Sequence, residues 1–260
     1  MASIGTQLIA QLLASLGFEP INKSTIIPRL NRIRPYGETA LNDAVHSGIK
    51  LILKLNSALD DLGASNAWNF VHIVITDGVD TVSDTSIQEL AVLFAMINRG
   101  ISTERCLTVF IGVDLTPQAL VQLALLKSLG GENCQLYNVR NVDLSEIFQR
   151  ITATLGVQRR VNVNMLNMGG IQAMHFQQEN VPVMTIRQRN FAVLLNLDIS
   201  GSMDGTRYES LKNSVSMFLR NLAPNDLASC LVFNDRVQML NNIPLQQPKQ
   251  DVQVIQCQPQ

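Results

Sequence analysis

The stretch Leu197-Asp198-Ile199-Ser200-Gly201-Ser202-Met203 places a carboxylate and two hydroxyls at alternate positions. It follows a strongly apolar run and precedes an amphipathic one, so it reads as the loop between a strand and a helix. Alternate side chains of a tight loop can converge on one point, and Gly201 lets the backbone turn sharply. Oxygen ligands of mixed charge suit a hard divalent cation, and the loop offers no His or Cys to attract zinc or copper. With so few carboxylates, a bound Mg²⁺ would keep waters and residual positive charge, and so accept an outside carboxylate. Taken alone, a Ser/Asp turn of this kind is also a common metal-free helix cap. The remainder of the chain must therefore supply more of the site.

The elements that position this loop form the pattern of an α/β protein with a mostly parallel sheet, short apolar runs alternating with amphipathic stretches. Helices are expected over 40–60, 86–98, 143–155 and 208–222, and another from Thr116-Pro117 to Gly130-Gly131, with proline at its first turn and glycine past its end. Strands are expected over 69–75, 107–113, 191–197 and 226–233, with shorter ones over 135–138 and 236–240. An amphipathic helix opens the chain, with Leu8, Ile9, Leu12, Leu13 and Leu16 on one stripe. Residues 156–190 change texture: Arg160–Met165 alternates at period two, and Pro182 suits an edge strand.

In this frame the chain resembles the von Willebrand factor A (VWA) family, whose metal-ion-dependent adhesion site begins with Asp-x-Ser-x-Ser after the first strand. The resemblance continues through Gly205–Lys212 and Asn225–Asn234. Tyr36-Gly-Glu-Thr39-Ala-Leu is similar to the family's threonine loop, and Val74-Ile-Thr-Asp77-Gly-Val-Asp80 to its aspartate loop. Leu107–Val113, Leu129-Gly-Gly131 and Val142–Phe148 are similar to its closing strand and helices. The order is rotated: the back of the domain comes first and its opening segment last. A circular permutation and a fragment cut from two tandem repeats both produce that order.

The resemblance implies a Rossmann-like, doubly wound sheet flanked by helices, assembled from two segments. The expected division is an N-terminal helix over 1–24, the C-terminal portion of the domain over 25–155, and a β-rich connector over 156–189. The N-terminal portion then covers 190–245 and an irregular tail 246–260. Sites of open α/β sheets lie where the strand order reverses, so strands 191–197 and 69–75 are expected to be neighbours there. The resemblance makes Asp198, Ser200, Ser202, Thr39 and Asp77 the ligands of Mg²⁺ (or Mn²⁺), directly or through water. Asp80 and Asp204 stay outside that set. Thr39 also reads as the N-cap of helix 40–60.

Composition narrows the alternatives. With 20 Lys+Arg against 21 Asp+Glu and 5% aromatics, neither a basic surface nor a base-stacking platform points to nucleic acid. The opening helix lacks the basic flank of a signal peptide and is too short for a bilayer, so the expectation is a cytoplasmic protein with no membrane role. Cys106, Cys134, Cys230 and Cys257 are widely separated, which disfavours a structural zinc site. Cys106 and Cys230 read as small buried residues. His72 alternates with apolar neighbours and reads as a core or face histidine, not a ligand. Met165, Met168, Met174 and Met184 read as core filling. There is no Walker A sequence, G-x-G-x-x-G or G-x-S-x-G.

The expected function is therefore non-enzymatic. A divalent-cation-dependent domain would bind a protein ligand that offers an Asp or Glu carboxylate to the ion, acting as a monomer or a segment-exchanged dimer. The alternative is a VWA-like assembly module whose metal site is vestigial. A metal-assisted hydrolase lacks a nameable base or nucleophile.

Overall fold

Runs such as Phe70–Ile75 and Phe191–Leu197 are apolar at every position but one (His72 and Asn196), so both faces of these strands have to be covered. A parallel sheet layered by helices on both sides meets that requirement. The structure is a computed structural model that describes residues 4–102, 104–140, 144–155 and 189–242. In chain order the elements are α1 (Ile4–Ser15), β1 (Glu19–Pro20), α2 (Ile26–Leu30), α3 (Leu41–Asp61), β2 (Trp68–Thr76), α4 (Ile87–Gly100) and β3 (Cys106–Val113). There follow α5 (Pro117–Gly130), β4 (Cys134–Val139), α6 (144–155), β5 (Asn190–Asp198), α7 (Thr206–Arg220), β6 (Leu227–Phe233) and β7 (Val237–Met239).

Five strands, in the order β6-β5-β2-β3-β4, run parallel. On the outer edge of β6, β1 pairs antiparallel with Leu227 and Ala228, and β7 pairs antiparallel with residues 231–233. The result is a mixed, mostly parallel sheet with helices on both faces, compatible with a Rossmann-like fold. Its central pair joins distant parts of the chain: β2 lies beside β5 from Trp68↔Asn190 to Ile75↔Leu197.

The two-residue period of the strands sorts the core into two layers. Val71, Ile73, Ile75, Val193, Leu195 and Leu197 face α2, α6 and α7, where Phe148 and Phe218 stack at 5.0 Å between ring centroids. Phe70, Val74, Phe110 and Leu194 face α1, α3, α4 and α5. This second layer has a polar interruption. His72 and Asn196 are fully buried against Gly48 of α3, where a Cβ would collide with both side chains. Asn196 Nδ2 donates to the Ala44 carbonyl (2.6 Å), while both His72 ring nitrogens and Asn196 Oδ1 have no hydrogen-bond partner among the described residues. Burial pushes the His72 imidazole down to about 4, so it is neutral at pH 7.

The helices and strands lie within one to a few residues of the expected bounds. Thr116 caps α5 by accepting from Ala119 N–H, as its sequence indicates, and Ser86 forms a capping box with Glu89 at the start of α4. Thr39 is different: Ala40 occupies the cap position of α3, with no side-chain cap bond. The loop after β2 does that work from outside the helix. Asp80 Oδ1 accepts from Asn42 N–H (3.2 Å) and Ser83 Oγ accepts from Asp43 N–H (3.0 Å), satisfying donors that a helix start leaves free.

Two short elements, β1 and α2, lie within stretches that carry no periodic signal of their own. Cys106, Cys134 and Cys230 are buried and free. The strands expected over 160–165 and 181–186, the four methionines from Met165 to Met184, Cys257 and the tail lie outside the described residues. No helix among the described residues is long and apolar enough to cross a membrane.

Candidate metal centre

The strand order reverses between β5 and β2. From β5 the chain passes through α7 to β6 on one side, and from β2 through α4 to β3 on the other. The carboxyl ends of these two strands therefore diverge into a crevice, the usual place for a ligand in a sheet of this kind. Asp198 is the last residue of β5, and Asp77 directly follows β2. Because Ile75 is level with Leu197, both carboxylates reach the same end of the sheet.

Asp198 is fully buried. Its Oδ2 accepts from Thr76 Oγ1 (2.5 Å) and its Oδ1 from Ser200 N–H (2.8 Å). Burial pushes this carboxyl up to about 7, against the hydrogen bonds from Ser200 and Thr76, which favour the ionised form. Ser200 Oγ lies 3.0 Å from Ser202 Oγ, and Ser202 Oγ donates to Asp77 Oδ1 (2.7 Å). Hydrogen bonds thus link four of the five predicted ligands, from Asp198 to Asp77.

The fifth, Thr39, arrives on the loop before α3. That loop is held by Tyr36 N–H to the Ile199 carbonyl (2.9 Å), Gly201 N–H to the Gly37 carbonyl (2.9 Å) and Ala40 N–H to the Asn234 carbonyl (2.7 Å). Gly37 takes a positive φ of 81°, a conformation open to glycine at little cost. Thr39 N–H donates to Thr81 Oγ1 (3.0 Å) and its carbonyl accepts from Thr81 N–H (2.9 Å), which sets it beside the aspartate loop. A Cβ placed on Gly78 would lie 3.2 Å from Thr39 Oγ1 and 3.9 Å from Ser202 Oγ. Both hydroxyls therefore border the space that Gly78 leaves open.

Asp80 and Asp204 do not join this group. Asp80 is turned to the start of α3, where it also accepts from Asn42 Nδ2 and Ser83 Oγ, and Asp204 is exposed. Gln122 of α5 accepts from Asp80 N–H (2.9 Å), so the aspartate loop is fastened to two helices.

Among the described residues, two side chains outside the predicted set bond to its carboxylates. Thr76 is one; its signal is a hydroxyl ending a mostly apolar strand immediately before Asp77. Arg207 is the other. Its Nη1 donates to Asp77 Oδ2 (2.8 Å) and to the Ser202 carbonyl (3.0 Å), and its Nε to Asp114 Oδ2 (3.3 Å). Arg207 is the second residue of α7, in the first turn, where the helix dipole disfavours a cation. A cation at that position is the sequence signal for a carboxylate partner.

The donor set combines two buried carboxylates with three hydroxyls, all oxygen, and two of the hydroxyls border the space that Gly78 keeps open. This chemistry fits a hard divalent cation held partly through water.

These features define an α/β protein with a mostly parallel sheet and a carboxylate–hydroxyl cluster at its reversal point. No family model matches the chain, and no curated protein matches it. Among solved structures, it is similar to an uncharacterized protein from Alicyclobacillus acidocaldarius subsp. acidocaldarius DSM 446. The identity is 18%, over 67% of this chain and 79% of that chain, with a TM-score of 0.44.

Proposed function

We propose that the chain is a VWA-type interaction domain that binds a partner protein through a divalent cation. The observation that carries this reading is the hydrogen-bonded series Asp198–Ser200–Ser202–Asp77, with Thr39 beside it, at the point where the strand order reverses. Asp198, Ser200, Ser202, Thr39 and Asp77 would hold Mg²⁺ or Mn²⁺. When bound, such an ion supplies residual positive charge and an exchangeable position for an Asp or Glu of the partner. The protein's own part is orientation. Thr76 and Ser200 N–H fix the inner carboxylate, Ser202 aligns the outer one, and the Thr81 contacts hold Thr39 at the rim. Tyr36 and Val82, exposed on two of the surrounding loops, offer apolar contact to residues flanking the partner's acid.

The spatial strand order supports the rotated family reading. Counted from β5 as the first strand, and leaving aside the two-residue β1 that shares the edge of β6 with β7, the sheet runs 3-2-1-4-5-6 from β7 to β4, the order of many doubly wound sheets. Permutation and excision from a tandem array share this prediction; more VWA sequence encoded on both flanks would mark the second.

The Arg207–Asp77 ion pair favours a second reading, an assembly module whose metal site is vestigial. Titration calorimetry of the folded chain with MgCl₂ and MnCl₂ separates the two. Saturable binding that is lost in D198A supports the metal-dependent domain. Absence of heat with both ions, in protein shown to be folded, supports the vestigial site.

A further inference from the structure

We propose that Arg207 is the resident counter-cation of this site, held on Asp77 until a divalent ion displaces it, and that it sets the affinity for that ion. The inference rests on the metal-centre reading and deepens it. Asp77 is almost completely enclosed, its side chain 1% exposed, whereas that of Arg207 is 34% exposed. A carboxylate so enclosed is costly to leave unpaired, and Arg207 is its cationic partner. The same guanidinium also spans to Asp114 and to the Ser202 carbonyl, so it ties the outer carboxylate to both.

Its position on α7 makes this hold conditional. In the first turn, the amide donors and the dipole of the helix oppose a positive charge. Carboxylates therefore keep Arg207 in place, and they do so while the site has no other cation. A divalent ion near Asp77 would meet a like charge a few ångströms away, a strong repulsion in a partly enclosed site. The guanidinium would then move toward Asp114, which already accepts from its Nε and is itself 32% exposed. Because the resident charge is +1, a monovalent ion gains little by exchange, whereas a divalent ion adds net charge to a site with two carboxylates.

The test is calorimetry of wild type, R207Q and R207K with MgCl₂ and MnCl₂ at constant ionic strength. The expected result is that R207Q binds about tenfold more tightly than wild type, since a like charge has been removed. R207K, which keeps the charge, is expected to stay within about threefold of wild type. A purely structural ion pair would lower the melting temperature of R207Q without tightening metal binding. Equal or weaker binding by folded R207Q overturns the proposal and leaves the metal centre standing. Binding by none of the three proteins overturns both. Should R207Q not fold, NMR of ¹⁵N-arginine-labelled wild type decides the matter. The Arg207 Nε–H signal is expected to shift as Mg²⁺ saturates, and an unmoved signal at saturation overturns the proposal.

Discussion

Asp198 and Asp77 close neighbouring parallel strands and face one crevice, yet they are held in opposite ways. Asp198 is gripped by neutral donors, Thr76 Oγ1 and Ser200 N–H, and is cut off from solvent. Its position is fixed by backbone and a short side chain, but no cation among the described residues pairs with it, and burial raises its pKa. Asp77 accepts from Ser202 and from the long side chain of Arg207, which reaches solvent. Its charge is balanced by a guanidinium on a side chain that is 34% exposed. One carboxylate is held by short neutral donors and the other by a long cationic side chain, a division that the proposed uptake of a cation would use.

The largest expected effect breaks the inner half. D198N keeps the shape of the side chain and removes the charge, and it is expected to abolish the rise in melting temperature that Mg²⁺ gives wild type. A full Mg²⁺ response in D198N would place the ion elsewhere.

The next is pH. The folded-state pKa of Asp198 is raised to about 7 from its ordinary value of 3.8, so between these limits the folded chain retains a proton that the unfolded chain has lost. Metal-free stability from this group is therefore present at low pH and lost as pH rises toward 7, by at most about 1.4 kcal/mol per pH unit. His72 works in the other direction. Its pKa is lowered from 6.5 to about 4, so stability is present above 6.5 and lost as pH falls through 4. Denaturant melts across pH 4 to 8 are expected to lose the first trend, and keep the second, in D198N. Mg²⁺ affinity is expected to weaken below pH 7, where a proton competes for Asp198.

T76V is smaller in effect. It deletes a donor to a buried carboxylate, with an expected cost of about 1.5–3 kcal/mol above pH 7 and little cost near pH 4. Chemical denaturation at the two pH values checks the difference. Last comes S202A, with an expected cost of about 1 kcal/mol in the metal-free chain, because Arg207 still satisfies Asp77. A larger loss for S202A than for T76V would reverse the contrast between the two carboxylates.

Much of this site is legible in the sequence because its residues sit at element ends that hydropathy marks clearly. The apolar run before Asp198 and the one before Asp77 each announce a strand terminus, and the terminus is where a parallel sheet places ligands. Thr76 and Arg207 are less legible because their roles depend on which strand or loop lies opposite, and spacing along one segment does not carry that information. The same holds for Asp80, which stands three residues from Asp77 yet serves the start of α3, and for Thr39, whose capping role passed to that loop. His72 reads as a core or face residue, and the structure places it in the core; its contact with Gly48 and Asn196 exists only once α3 is laid across β2 and β5. The two-residue β1 is set by the free edge of β6, not by any pattern in Glu19-Pro20.

The pairing of β2 with β5 has a consequence for how the protein is made. Translation delivers β2, β3 and β4, with their helices, well before the strand that belongs on the other side of β2. At about 5–20 residues per second, that edge waits several seconds for β5 and β6. During this interval an apolar strand with open backbone donors and acceptors is presented to other nascent chains, the circumstance in which edges join wrongly. Ribosome-bound intermediates stalled before Asn190 should therefore be chaperone-dependent, and release from the chaperone should coincide with emergence of the segment that ends in Asp198.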